Sequence, residues 1–270
     1  MRAIPWLSVV LLLLALAACG GSGAPTATFT AQDYGFSGPA SVRAGVTRFQ
    51  LVNKGQHAHM LGLVALSGGK TPADLLSAAK AAPSAPFPDY AKWVGGPDAV
   101  DPGGTSTATV DLAPGSYAVV CTMPDGDSGH SHLERGMIQA LTVTGPRQNG
   151  HATASSVSVQ ESEFHFETTG AIKAGTQTIH VQNVGKQEHE AQLARLPDGV
   201  TLDKYLALND ATSAASGSSY GGLAAIQPSG DGAFTADFKP GHYVFICFAT
   251  DPQTGKAHFE LGMTSEFTVK

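Results

Sequence analysis

The chain has 270 residues, of which 42% are hydrophobic and only 14% charged, with 32 glycines, 16 prolines and a formal net charge of −6. An average soluble domain is roughly 25% charged and about 7% glycine, so this composition excludes a Lys/Glu-rich helical bundle or coiled coil. Wholesale disorder is excluded by the apolar content, and no basic tract of five or more residues offers a surface for nucleic acid.

In chain order, Arg2 and the apolar run Val9 to Leu16 precede Leu16-Ala17-Ala18-Cys19 and a Gly20-Gly21-Ser22-Gly23 stretch. The run is short for a bilayer-spanning helix and has the flanks of a secretory signal. A small-residue cleavage site ending on cysteine resembles the lipobox of bacterial lipoproteins. That resemblance implies a signal peptide over residues 1–18 and Cys19 as the acylated (palmitate-bearing) first residue of the mature chain. It also implies a lipid anchor in the cell membrane on the extracytoplasmic side, in a periplasm or at a cell surface. Residues 19–25 read as the lipidated, flexible tether. In that compartment thiols become disulfides or metal ligands.

The remainder is a duplication. An offset of 130 residues aligns Phe36 with Phe166, Asn53 with Asn183, Gly55 with Gly185 and His59 with His189. From Gly95 to Val143 the offset is 126 without a gap, and 19 of the 49 aligned positions are identical. The domains are residues 26–145 and 156–270, with 146–155 as the linker. Strands are expected at Thr47 to Asn53 and Gln177 to Asn183, each stopped by an Asn-x-Gly turn. Further strands are expected at Ala108 to Leu112 and Phe234 to Phe238, then at Tyr117 to Cys121 and Tyr243 to Cys247 after Pro-Gly turns. Final strands are Ile138 to Val143 and Thr264 to Val269. One short helix per copy is expected, near Pro72 to Ala81 and Leu202 to Leu208. Short strands with Gly/Pro turns in about 115 residues make each copy a β-sandwich and the chain all-β.

Four soft or borderline donors recur in the same order in both copies. They are His59, Cys121, His132 and Met137, then His189, Cys247, His258 and Met263. Ten residues separate each Cys from its His and four separate that His from the Met. Two imidazoles, a thiolate and a weak thioether suit copper that cycles between Cu(I) and Cu(II). His57 and His130 lie near the first set but align with Gln187 and Lys256, so the repeat favours His59 and His132. Glu134 and Glu260, also repeated, read as partners that organise the loop rather than as ligands.

Asn53 to His59, Cys121 to Met137, Asn183 to His189 and Cys247 to Met263 resemble the corresponding stretches of cupredoxins, the plastocyanin- and azurin-type blue (type 1) copper proteins. The resemblance covers about 90% of the mature chain. It implies two Greek-key β-sandwiches in tandem and one copper per domain, up to two. It also implies electron transfer to an unidentified redox partner protein through the exposed edge of the second histidine, His132 or His258. The Cys–His loop is longer than in plastocyanin-like members and nearer that of copper nitrite reductases.

Multicopper oxidases and nitrite reductases need further copper centres, with histidine beside the cysteine. Here Val120 and Thr122 flank Cys121, and Ile246 and Phe248 flank Cys247. No nucleophile elbow, phosphate loop or zinc-protease helix occurs either. The chain is therefore expected not to be an enzyme. Two alternatives share its sequence: a metal-free interaction module of the cell envelope, in which Cys121 and Cys247 could form a disulfide, and a copper storage or delivery protein.

Overall fold

Alternation along the strands builds the sandwiches. In Ser41–Asn53, Thr47, Phe49, Leu51 and Asn53 point inward and are buried, while the residues between them face outward. The computed structural model describes residues 23–83, 85–126, 129–148, 154–207 and 217–270. The expected signal peptide and Cys19 lie outside the described residues, as does Leu208 at the end of the second expected helix.

The first half contains β1 (Thr26–Gln32), β2 (Gly35–Ser37), β3 (Ser41–Asn53), β4 (Gly62–Leu66), α1 (Pro72–Ala81), β5 (Ala91–Trp93), β6 (Thr105–Leu112), β7 (Gly115–Val120) and β8 (Ile138–Gln148). The second contains β9 (Val157–Ser162), β10 (His165–Thr169), β11 (Gly175–Asn183), β12 (His189–Leu196), α2 (Leu202–Ala207), β13 (Ser218–Ile226), β14 (Asp231–Phe238), β15 (Gly241–Ile246) and β16 (Thr264–Val269). In the first half the layers β2-β1-β3-β6 and β8-β7-β4-β5 are joined where the start of β3 pairs in parallel with β8, and β6 pairs with β14 of the layer β10-β9-β11-β14, making one 12-stranded sheet; β13-β12-β15-β16 is a separate 4-stranded sheet. The chain crosses between layers from β3 to β4 and again from β5 to β6, as a sandwich with Greek-key connections requires. Helix α1 occupies the expected residues because Thr71 and Asp74 form a capping box and Pro72 opens the first turn.

One boundary differs from expectation. Strand β8 does not stop at Val143 but runs on to Gln148, which pairs with Gly45 of β3. The first three residues assigned to the linker are therefore strand. Pro146 is tolerated there because it lies in a stretch exposed to solvent, where no ladder donor is needed.

The halves meet through an isologous contact. Phe234 of β14 pairs with Ala108 of β6, flanked by Ala233↔Thr109 and Thr235↔Thr107. Ala108 and Phe234 are equivalent in the repeat, so the pairing maps onto itself. The bridges Val94↔Ile226 and Val100↔Tyr220 are exchanged by the same offset, and Pro97↔Leu223 is self-equivalent. Hydrogen bonds from Gly95 N to Ala225 O (2.9 Å) and from Gly221 N to Ala99 O (2.8 Å) repeat the symmetry. Gly96 and Gly222 let these segments lie against their own half's chain just after the first histidine. Both have φ near the left-handed region (+121° and +120°), and a Cβ would lie 2.2 Å from Leu61 O or 2.1 Å from Ala191 O. Among the described residues no helix is long and apolar enough to cross a membrane.

Candidate metal centres

Each centre begins with an asparagine that folds the loop before the first histidine. Asn53 Nδ2 donates to His57 O (2.8 Å) and Val100 O (2.9 Å), while its Oδ1 accepts from Gly55 N (2.9 Å). Asn183 repeats this with Gln187 O, Ile226 O and Gly185 N. The side chain thus replaces backbone partners in a tight turn. Glycine follows because the imidazole lies against it: a Cβ on Gly55 would stand 2.6 Å from His59 Nε2, and on Gly185 2.9 Å from His189 Nε2.

Cysteine leaves the end of β7 or β15, and the loop after it returns the other donors. Met137 N donates to His132 O (2.9 Å) and Cys121 N to Met137 O (3.3 Å), with the same bonds at Met263, His258 and Cys247. Glu134 and Glu260 tie the loop: Glu134 accepts from Ser131 N (2.7 Å), Glu260 from Ala257 N (2.8 Å).

The donor atoms converge. In the first centre Cys121 Sγ lies 3.7 Å from His59 Nδ1 and 3.4 Å from His132 Nδ1, and the two Nδ1 atoms are 3.0 Å apart. In the second, Cys247 Sγ lies 4.0 Å from His189 Nδ1 and 3.4 Å from His258 Nδ1, again with 3.0 Å between the nitrogens. All six side chains are fully buried, as are Met137 and Met263. Among the described residues these are the two groups in which three such donors meet. Cys121 and Cys247 are free thiols in separate sites, not partners in a disulfide. His57 and His130 stand outside the donor sets: His57 stacks on Tyr34, and His130 Nδ1 lies 3.2 Å from Glu134.

The electrostatics suit a soft metal. Burial pushes the Cys121 thiol up to about 12 and the Cys247 thiol well above its usual value, so without metal both sulfurs keep their protons. A metal that displaces the proton gains a thiolate, already approached by Met60 N at 3.5 Å and Glu190 N at 3.4 Å. Burial pushes His132 and His189 down to about 4 and lowers His59 and His258. All four imidazoles are neutral at pH 7, with lone pairs to give. A His₂Cys set with a buried methionine nearby fits a type 1-like copper site in each half.

The structure corrects one expectation. His132 and His258 are fully buried, so neither presents an exposed edge. The ring of Tyr34 packs edge-on against His132 at 4.9 Å, with His57 at 5.8 Å. In the second half Phe164 covers His258 at 5.3 Å, and Gln187 Oε1 meets its Nε2 at 3.0 Å. Tyr34 is held by a short hydrogen bond to Asp125, which also accepts from Arg135 Nε at 2.7 Å. The first histidine has a carboxylate behind it: His59 Nε2 lies 2.7 Å from Asp33 Oδ1, but His189 Nε2 lies 3.8 Å from Glu163 Oε1. Sequence reasoning missed these outer residues. Asp33/Glu163 and Tyr34/Phe164 do recur at the 130-residue offset, and that is the signal by which they could have been found.

No protein-family model and no curated protein matches the chain. Among solved structures it is similar to reduced auracyanin of the photosynthetic bacterium Roseiflexus castenholzii, at 21% identity over 46% of this chain and 99% of that one, with a TM-score of 0.32. Auracyanin A, a "blue" copper protein of Chloroflexus aurantiacus, matches at 19% identity over 45% of this chain and 100% of that one, with a TM-score of 0.31. A multicopper oxidase matches at 17% identity over 91% of this chain and 88% of that one, with a TM-score of 0.27. Overlaps this loose transfer no residue's role; the centres stand on their own donor geometry.

Proposed function

We propose that the protein is a lipid-anchored, extracytoplasmic carrier of electrons with two type 1-like copper sites and no catalytic chemistry of its own. The observation that carries this reading is the duplicated, fully buried convergence of two Nδ1 atoms and one Sγ, with a backbone N–H aimed at each sulfur. His59, Cys121, His132 and Met137 hold the first ion, and His189, Cys247, His258 and Met263 the second. Bound copper would supply a one-electron couple between Cu(I) and Cu(II), for which a mixed soft and borderline donor set is suited in both states.

The chain's own contribution is to fix the donors and exclude water. Asn53 and Asn183 set the loops, Asp33 orients His59, and Gln187 orients His258. With the second histidines capped, the route to a redox partner runs through Tyr34 and His57 in one half and Phe164 and Gln187 in the other. Anchoring rests on Cys19 and the sequence before it. Carrier status rather than oxidase or reductase status rests on the residues beside Cys121 and Cys247, which are not the histidines that such enzymes place there.

Loading with Cu(II) tests the reading. The expected product is intensely blue, holds two coppers per chain and loses the second half's share of the thiolate-to-copper band on Cys247→Ser. A colourless Cu(II)-loaded wild type would sink it. Mass spectrometry of the membrane-extracted protein is expected to show acyl chains on an N-terminal Cys19; an unmodified N-terminus at another residue would remove the anchor.

A further inference from the structure

A cavity of about 580 Å³ opens between the two halves, beside both cysteine-to-methionine loops. It straddles the pseudo-twofold axis, because the equivalent residues Thr122 and Phe248 both line it, as do Pro124 and Thr250. Its walls are not equivalent. One is apolar: the end of α1, followed by Phe87 stacked on Trp93 at 5.1 Å. The other carries Glu188 and Glu190, with Phe248, one of the few exposed large apolar side chains among the described residues, beside them.

Charge is one-sided here. The lining holds three carboxyls, Glu134, Glu188 and Glu190, and His130 is the basic side chain among them. Glu134 is committed to Ser131 and His130. Glu188 accepts one bond, from Gln227 Nε2 (3.0 Å), and Glu190 accepts one, from Phe248 N (2.8 Å). Asp98 and Glu161, both in the electrostatic field of Glu190, are 1% and 0% exposed. Asp98 Oδ2 and both carboxyl oxygens of Glu161 have no hydrogen-bond partner among the described residues. Lys92 acts on Glu188, but its amine is exposed and lies 3.4 Å from Asp89. Buried carboxyls are ordinarily paired or bonded. Asp98 and Glu161 are two such carboxyls with oxygens left unpartnered among the described residues, and the half-buried Glu188 and Glu190, in whose field they lie, line the cavity and offer a cation two acceptors.

We propose that this cavity binds a small organic cation with a flat apolar body, an aryl-alkyl ammonium, its ammonium against Glu188 and Glu190 and its ring against Phe248 and the Phe87–Trp93 stack. The volume is that of a small-molecule site at a domain interface, and the aromatic walls favour a cationic, planar guest. A bare metal ion fits less well: these carboxyls do not bring three oxygens within 4.8 Å of one another. Glu188 and Glu190 flank His189 and Phe248 follows Cys247, so the cavity adjoins the second metal centre, but its proposed contacts use none of the donor atoms.

The test titrates phenethylammonium into the full-length protein at pH 7, with calorimetry and the Trp93 indole resonance as readouts. 2-Phenylethanol serves as the uncharged analogue and Ca²⁺ as the bare cation. Submillimolar binding is expected for the ammonium, with the alcohol at least about 10-fold weaker and Trp93 shifted by both. Glu188→Gln and Glu190→Gln should each weaken the ammonium about 10-fold and leave the alcohol unchanged, whereas Phe248→Ala should weaken both. Equal affinity for ammonium and alcohol, no binding of either at 10-fold above that range, or tighter binding of Ca²⁺ than of the ammonium would each overturn the proposal. The comparison of probes on the wild type stands whether or not a variant folds, and the copper band reads the separate question of the metal centres.

Discussion

The two metal centres share their inner donors to within a few tenths of an ångström, and share the Asn turns and glutamate ties that set the loops, but differ in what stands behind and over the histidines. Behind the first, Asp33 meets His59 at 2.7 Å through one oxygen and Gln56 N through the other; behind the second, Glu163 stands 3.8 Å from His189, the same oxygen accepting from the Lys186 and Gln187 backbone N–H groups. Over the first lie Tyr34 and His57, over the second Phe164 and Gln187. Beside the first sulfur is Met60; beside the second is Glu190, with Glu161 where the first half has Ala31. Outer partners tune a metal's affinity and potential through the ligands they orient, so equal donor sets with different partners need not behave alike. The first half has taken a charged partner for its histidine, and the second has taken buried acids.

Removing one sulfur should break the comparison most completely. Cys121→Ser and Cys247→Ser are each expected to lose one copper and about half of the intense visible absorbance, and the double variant all of it. Retention of both coppers in either single variant, by metal analysis, would show that the two centres are not equivalent sites.

A second test concerns the acids. Burial holds Asp98 up to about 7 and Glu161 up to about 8. Because these folded values exceed the unfolded ones, the folded chain keeps protons that the unfolded chain has already released. Their contribution to stability is complete below about pH 4 and is lost as pH rises towards 8. The buried histidines work in the opposite sense, but only between about 4 and 6.5, so above pH 6.5 the acids dominate. The metal-free protein should therefore melt at progressively lower temperature from pH 6.5 to 8.5. Glu161→Gln should flatten that slope and stabilise the fold by about 2 kcal/mol or more at pH 8. An unchanged slope in the variant, by calorimetry, would remove Glu161 from the account.

The smallest expected effect sharpens the comparison of the first histidines. Asp33→Asn should weaken Cu(II) binding at the first centre about 10-fold and raise its potential, leaving the second centre unchanged. Spectroelectrochemistry on the Cys247→Ser background reads this directly; a potential unmoved by the substitution would assign Asp33 to the loop alone.

Much of the frame was legible because it is local or repeated. Thr71-Pro72 and Asp74 announce α1 to the residue, and the 126-residue offset marks Cys121, His132 and Met137 with their partners. What was not legible depends on chain segments far apart in sequence. Asp33 reaches His59 across 26 residues with no local signature. The burial of His132 and His258 depends on Tyr34 and Phe164, which lie near the start of each half. The alternation ends strand β8 at Val143, but its tail to Gln148 is held by β3, a partner that no period-two count can see. The contact between halves was invisible for a related reason: residues such as Ala108 and Leu223 read as ordinary core when their cover comes from the other copy.

That contact also says what kind of object the chain is. Surfaces that pair with their own equivalents are the mark of two identical subunits, so the covalent connection between the halves is not what holds them together. A chain cut once between residues 148 and 154 should still run as a single particle in gel filtration, and either half produced alone should pair with itself. By this reading the protein is a homodimer written twice on one strand, and its asymmetries are what two linked subunits can acquire once each no longer has to match the other.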